Sequence, residues 1–249
     1  MDQDSPSILS IRNLTRSFGG FRAVDNVSFE IMKGELRSIV GPNGAGKTTL
    51  FNLITANLKP SAGRMFFKGR DITNLSPEKI CRMGISRKFQ TPSVFTNLTV
   101  SENILTAGYG KLGMSSILFR RIEKSDLERV PLILETINLV QKRDQPARHL
   151  SHGERQWLEI GMILATQPAL MLLDEPTAGM TPAETMETAR LIRGISRNLT
   201  IVVIEHDLKF LREIGEKVTV MHNGSILAEG TFEEIERNDD VRRVYIGRE

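Results

Sequence analysis

A single cysteine, Cys81, stands in 249 residues. No intrachain disulfide can form, which suits a reducing compartment. Long apolar runs are missing too: none approaches the ~20 residues of a membrane-spanning helix. The opening residues Met1-Asp2-Gln3-Asp4-Ser5-Pro6 are acidic and polar, unlike a secretory leader. Charge of one sign is scarce, since 33 basic and 30 acidic side chains leave a balance of +3. That balance suits an anionic nucleotide or a membrane surface and is too weak to argue for nucleic acid. Internal repeats, linkers, low-complexity tracts and long heptad runs are absent, so coiled-coil architectures are excluded. What is present is ordinary for a soluble chain, with 40% hydrophobic and 25% charged residues. The length is enough to bury a sizeable core in one or two lobes.

The chain reads as all-β at its start and as alternating strands and helices later. Residues 8–12 and 24–31 form short strands, with Gly19-Gly20 as a turn. The alternation of Val27, Phe29 and Ile31 is the period of a half-buried strand. Residues 63–68 are another strand. Ser76-Pro77 then opens a helix, serine as cap and proline at the first position. Residues 99–139 read as mainly helical, broken at Gly108, Gly110 and Gly113. After Ser151 the pattern is βα, with a helix to about Thr166, a strand ending at Asp174, a helix over 182–197 and a buried strand over 200–205. His222-Asn223-Gly224 predicts a type I′ hairpin turn.

Two segments fix the chemistry. Gly41-Pro42-Asn43-Gly44-Ala45-Gly46-Lys47-Thr48-Thr49 has the spacing G-x-x-x-x-G-K-[ST], between the apolar Ser38-Ile39-Val40 and the helical Leu50-Phe51-Asn52-Leu53-Ile54. Glycines let backbone N–H groups curl around phosphate, and the following helix adds its positive end. Lys47 is placed to reach the β- and γ-phosphates and the Thr48 hydroxyl to ligate Mg²⁺. The second segment, Leu170-Met171-Leu172-Leu173-Asp174-Glu175-Pro176, is an apolar strand ending in two acids. A third, Leu150-Ser151-His152-Gly153-Glu154-Arg155-Gln156, opens an amphipathic helix that Ser151 can cap.

Taken together, these motifs resemble those of ATP-binding cassette (ABC) proteins, whose signature is usually Leu-Ser-Gly-Gly-Gln. His152 and Glu154 depart from it; Ser151 and Gly153, which face phosphate in the family, are kept. The resemblance implies an α/β fold, a P-loop NTPase nucleotide-binding domain spanning 1–249. It would have an N-terminal antiparallel β subdomain and a RecA-like parallel-sheet core over about 1–90 and 167–249. A helical subdomain would occupy about 91–166. It implies ATP and Mg²⁺, with nucleotide held by Phe18 stacked on adenine, by residues 41–49, and by Ser151, Gly153 and Glu154. Gln90, after Ile85-Ser86-Arg87-Lys88-Phe89, resembles the glutamine that senses Mg²⁺ and the attacking water. Asp174 holds the metal with Thr48 and Gln90, Glu175 orients or deprotonates water, and His206 matches the switch histidine. Ala178-Gly179-Met180-Thr181 occupies the D-loop, with Thr181 where aspartate is usual.

A chain with one cassette and no membrane span is expected to work with membrane permease subunits and a second cassette, identical or different, on the cytoplasmic face of the inner membrane. A periplasmic solute-binding protein is an indirect partner, and nucleic acid is not expected. Val94, Phe95 and Leu98 are candidates for seating a permease helix. Ala178-Gly179-Met180 and Glu205-His206-Asp207 resemble the branched-chain amino acid importer group. Arg87-Lys88-Phe89-Gln90, Ser151-His152-Gly153, Gln156-Trp157-Leu158-Glu159-Ile160-Gly161 and the tail Val244-Tyr245-Ile246-Gly247-Arg248 most resemble urea importers. The expected function is therefore the ATPase motor of a urea importer. The alternatives are a branched-chain amino acid or short-amide importer, and a soluble ABC ATPase acting on DNA or the ribosome.

Overall fold

Residues 7–87, 94–109 and 124–246 are described by a computed structural model. The first strands, β1 (Ser7–Phe18) and β2 (Phe21–Met32), pair antiparallel across Gly19-Gly20. With β4 (Ala62–Phe67) and β5 (Arg70–Asp71) they make an antiparallel sheet of order β2-β1-β4-β5. The hairpin is longer than the residue pattern suggests. Its register shifts at several places, and Asn13 and Asn26 take φ of 51° and 52°. The Asn13 amide nitrogen donates to Asn26 Oδ1 at 2.9 Å. Such bulges break the two-residue period by which a strand is recognised.

A second sheet has the order β10-β9-β3-β8-β7-β6. Here β6 (Ile85–Arg87), β7 (Leu170–Asp174), β8 (Thr200–Ile204), β3 (Leu36–Val40) and β9 (Lys217–His222) run parallel. Strand β10 (Ser225–Gly230) closes the edge antiparallel to β9, through a turn with Asn223 at φ 47° and Gly224 at 81°. Both values fit the type I′ hairpin. The parallel strands are buried on both faces. Leu170 and Leu172 of β7, and Val202 and Ile204 of β8, pack with Leu9, Ile31 and Phe67 of the antiparallel sheet. Met171, Leu173, Ile201 and Val203 turn the other way, toward Trp157, Leu158 and Ile192. A strand with apolar neighbours on either side has no polar face to alternate, which explains the unbroken Leu-Met-Leu-Leu and Ile-Val-Val-Ile runs.

Helices α1 (Lys47–Ile54), α2 (Pro77–Met83), α3 (Val100–Tyr109), α4 (Lys124–Thr136) and α5 (His152–Ala165) precede β7. After it come α6 (Pro182–Ser196), α7 (Leu208–Ile214), α8 (Phe232–Arg237) and α9 (Asp239–Ile246). Gly108, expected to break a helix, lies inside α3, where a side chain would meet only Ala165 of α5 at ordinary contact distance. Packing of one helix on another carries it through an unfavourable residue. Gly110 and Gly113 lie outside the described residues, as does Gln90. Among the described residues no helix is long and apolar enough to cross a membrane.

The pairing puts one functional segment at the end of each central strand. Ile39 of β3 lies beside Ile204 of β8, and Ile204 beside Asp174 of β7. The loop 41–46, the acids 174–175 and residues 205–206 therefore emerge at one edge, where ligands bind in open parallel sheets.

Candidate functional site

The phosphate-binding geometry begins with Gly46. It caps α1 at φ 100°, and a Cβ there would collide with the Ala23 carbonyl of β2. Only glycine allows that conformation and that approach. No side chain caps α1, and no acid sits in its first turn, so its leading N–H groups are left for a ligand. The hairpin turn braces the loop through the Gly224 N–H bonded to the Ala45 carbonyl at 3.1 Å. Gly41 and Ala45 are buried, Asn43 and Gly44 exposed, and Pro42, Thr48 and Thr49 half-buried.

Lys47, 9% exposed, folds back and donates to the carbonyls of Gly41 at 2.7 Å and Pro42 at 3.1 Å. Burial lowers its pKa, and the charges of Glu175 and Asp174 oppose the shift. The lysine and both acids thus share one electrostatic site, as the motif spacing anticipates.

Asp174 is fully buried. Its Oδ2 accepts from Arg87 Nη2 at 2.7 Å, while Arg87 Nη1 donates to Asn52 Oδ1 of α1 at 2.6 Å. The other carboxylate oxygen, Oδ1, is buried without a hydrogen-bond partner. Such an orphan acceptor suits a metal ion or its water, so the residues present fit Mg²⁺. Among the described residues no group of three or more His, Cys, Asp and Glu could hold a metal. A magnesium ion here would need water and phosphate for most of its ligands, with Thr48 and Asp174 as the candidate protein ligands. Glu175 is half-buried with φ 47°, a strained backbone for a glutamate. Its N–H donates to the Ile204 carbonyl at 2.9 Å. This bond fixes the bend at the end of β7.

Two residues without a role in the sequence reading complete this edge. Arg87 is the buried counter-charge of Asp174. Glu205, 1% exposed, accepts from both N–H and O–H of Thr177 and from the His206 N–H at 2.9 Å. It joins the loop after Glu175 to the segment carrying His206, whose imidazole is 69% exposed with Nδ1 3.8 Å from Glu205 Oε2. The one sequence signal for Glu205 is an acid directly after a wholly apolar strand.

The turn before α5 is self-contained. Ser151 Oγ accepts from the Glu154 N–H at 3.2 Å, and Glu154 Oε2 accepts from the Ser151 N–H at 2.9 Å. Lys142 Nζ holds the other oxygen, Oε1, at 2.5 Å. Burial works against ionising Glu154, but these bonds and the lysine charge prevail and keep its carboxyl below the usual range. Glu154 is thus bonded both to the Ser151 turn and to Lys142. Thr181 likewise caps α6 in a reciprocal pair with Glu184. Among the described residues the side-chain bonds of the 151–156 turn reach Lys142 and Ala178, and none reaches loop 41–49. Phe18, 44% exposed at the end of β1, lies under the Arg16 guanidinium at 4.5 Å and pairs across the hairpin with Phe21.

Comparison with known proteins places this geometry. The family model for ABC transporters matches residues 24–178. The high-affinity branched-chain amino acid transport ATP-binding protein LivG of Salmonella typhimurium is 41% identical, covering 98% of this chain and 99% of that one. The corresponding BraF of Pseudomonas aeruginosa is 36% identical over the same shares. Among solved structures, an ATP-binding cassette of an ABC transporter in its ADP conformation superposes with a TM-score of 0.86 at 35% identity. That match covers 97% of this chain and 99% of that one.

Proposed function

The chain belongs to the ABC transporter family, and from that premise we propose that it is the ATP-hydrolysing motor subunit of an importer of the branched-chain amino acid type. The observation that supports this most is the convergence of Lys47, Asp174 and Glu175 at one sheet edge in a chain whose relatives are transport ATPases over nearly their full length.

The roles follow from where charge develops. Phosphoryl transfer spreads negative charge over the moving group and needs positioning more than covalent help. The α1 amides and Lys47 surround the phosphates, Lys47 leaving the Gly41 and Pro42 carbonyls for a full ionic partner. Asp174, paired with Arg87, and Thr48 would hold Mg²⁺, which when bound supplies further charge neutralisation. Glu175 accepts the proton of the attacking water, and His206, with its imidazole 69% exposed, reaches toward the γ-phosphate. Gln90 is assigned beside them from its sequence position. Phe18 presents its ring to adenine. Ser151 and Gly153, whose turn makes no side-chain hydrogen bond to residues 41–49 among the described residues, serve the nucleotide of a second cassette, identical or different. ATP then closes two cassettes and hydrolysis releases them. Permease subunits, seated near the exposed Phe95, carry that motion across the membrane, and the subunit works at its cytoplasmic face with a periplasmic binding protein upstream.

The curated relatives favour branched-chain amino acids as the solute over urea, the narrower expectation from the sequence. Urea remains a second reading on the strength of His152, Gln156 and Trp157 in the signature helix. A motor subunit does not touch its cargo, so the decision is physiological. Deleting the chain and measuring uptake of radiolabelled leucine and urea tests both. Lost leucine uptake with intact urea uptake is expected, and the reverse selects urea. Loss of neither, with purified protein that releases no phosphate from ATP, rejects the motor assignment.

A further inference from the structure

His152 replaces the first glycine of the resembled signature, and none of the roles above uses it. It is the first residue of α5, with an exposed imidazole. Its Nε2 lies 2.9 Å from the carbonyl oxygen of Ala178, in the loop that begins at Glu175. A carbonyl can only accept, so Nε2 carries the hydrogen. The Gln156 amide nitrogen lies 3.4 Å from the same atom; as a second donor it does not bond an Nε2 that carries the hydrogen.

The surrounding backbone is cut to fit this contact. A Cβ on Gly153 would sit 2.5 Å from Glu184 Oε1, and one on Gly179, at φ +75°, would sit 3.2 Å from His152 Nε2. Gly179 thus lets the 175–181 loop close on the imidazole, while Gly153 lets the signature turn close on Glu184 of α6. A glycine at 152 has no side chain to make that bond. The loop is pinned at adjacent residues: Thr177 by Glu205 and Ala178 by His152.

We propose that His152 is a positioning residue, tying the signature turn to the loop of Glu175 in the same subunit. Through it the nucleotide of the facing subunit, met by Ser151 and Gly153, aligns the base that serves this subunit's own nucleotide. This rests on the motor reading above, in which those two groups act on different ATP molecules. The bond passes alignment between the sites without touching either nucleotide.

The test uses the full chain assembled with its transporter, comparing the wild type with His152→Ala and His152→Gln. Glutamine carries an amide N–H at about the reach of imidazole Nε2; alanine has no donor. The expectation for His152→Ala is a fall in kcat of about fivefold, the effect of one lost hydrogen bond. KM for ATP and the thermal midpoint should not change, and His152→Gln should recover kcat to within about twofold of the wild type. A kcat for His152→Ala equal to the wild type overturns the proposal. So does equal impairment of both variants, or a kcat loss that tracks a lowered thermal midpoint. If the wild type itself hydrolyses no ATP, the motor reading fails and takes this one with it. A wild-type rate indifferent to His152→Ala removes this proposal alone.

Discussion

Glu175 shows how much one backbone angle can carry. Its left-handed φ bends the chain directly after the buried pair of Asp174 and Arg87, and its charge acts on Lys47. Glutamine at 175 preserves shape and backbone but accepts no proton. Glu175→Gln should bind ATP as before and lose about 10²–10⁴-fold in turnover, the usual worth of a general base. Phosphate release near the wild-type rate would show that another group takes the proton. Phe18 makes a second case. An aromatic left 44% exposed at a strand end gains little from burial, which favours a ring kept for a ligand. Phe18→Ala should weaken ATP binding by about 1–3 kcal/mol, as for a base stacked on an aromatic side chain. Turnover at saturating ATP should hold. An unchanged affinity, measured by titration calorimetry, with earlier melting would mark Phe18 as a packing residue. At this scale the sequence was legible where a residue acts by fixed spacing, as Lys47 and Asp174 do. Arg87 and Glu205 were given no role, since their partners lie far along the chain, and an acid directly after an apolar run is too slight a local signal to name the partner of Glu205.

Helix starts in this chain repeat one device. Ser151, Thr181 and Thr231 each begin a helix by a reciprocal bond with a glutamate three residues on. In Glu184 the N–H of Thr181 is the main cause of a lowered pKa, with the Thr181 hydroxyl next. In Glu154 burial opposes ionisation, and Lys142 and Ser151 outweigh it. The sign follows directly. A carboxyl with its folded pKa below the ordinary 4.5 adds stability that is fully present above that value. The contribution is lost as pH falls through the lower folded pKa. Between pH 6 and 3 the wild type should therefore lose thermal midpoint faster than Glu154→Gln or Glu184→Gln, which have no carboxyl to protonate there. Parallel curves over that range would refute the role of ionised caps. The capping at Ser151 was visible in sequence, because a cap needs only neighbours. Thr181 was not read this way. It stood where an aspartate was expected, and its bond to Glu184 shows that the position serves first to start α6. The hairpin strands were underestimated for the reason their bulges give: positive-φ asparagines interrupt alternation without ending the ladder.

At the scale of the whole molecule the decisive fact is separation. Among the described residues no side-chain bond of the Ser151 turn reaches the phosphate loop; its bonds run to Lys142 and to Ala178 in the loop after Glu175. If the signature completes the pocket of a facing cassette, arginine at 151 should leave the subunit's own ATP affinity nearly unchanged, since residues 41–49 are untouched. It should block closure around the partner's ATP, because a bulky cation replaces the small cap at a helix N-terminus meant for phosphate. Mixed dimers with one disabled phosphate loop at a time separate the cases. When Lys47→Ala silences the loop of the subunit carrying Ser151→Arg, the remaining intact loop belongs to the partner and faces the altered signature. That dimer should be inactive. When the partner's loop is silenced instead, Lys47 of the altered subunit faces an intact signature, and whatever activity one site supports should persist. A permease-binding assay run beside it distinguishes lost chemistry from lost assembly, a control that Ser151→Arg needs because Arg148, three residues before it, donates its N–H to the Thr96 carbonyl beside the exposed Phe95. The opposite pattern of activity would mean that Ser151 serves its own Lys47, and two-subunit sharing of each ATP would have to be abandoned.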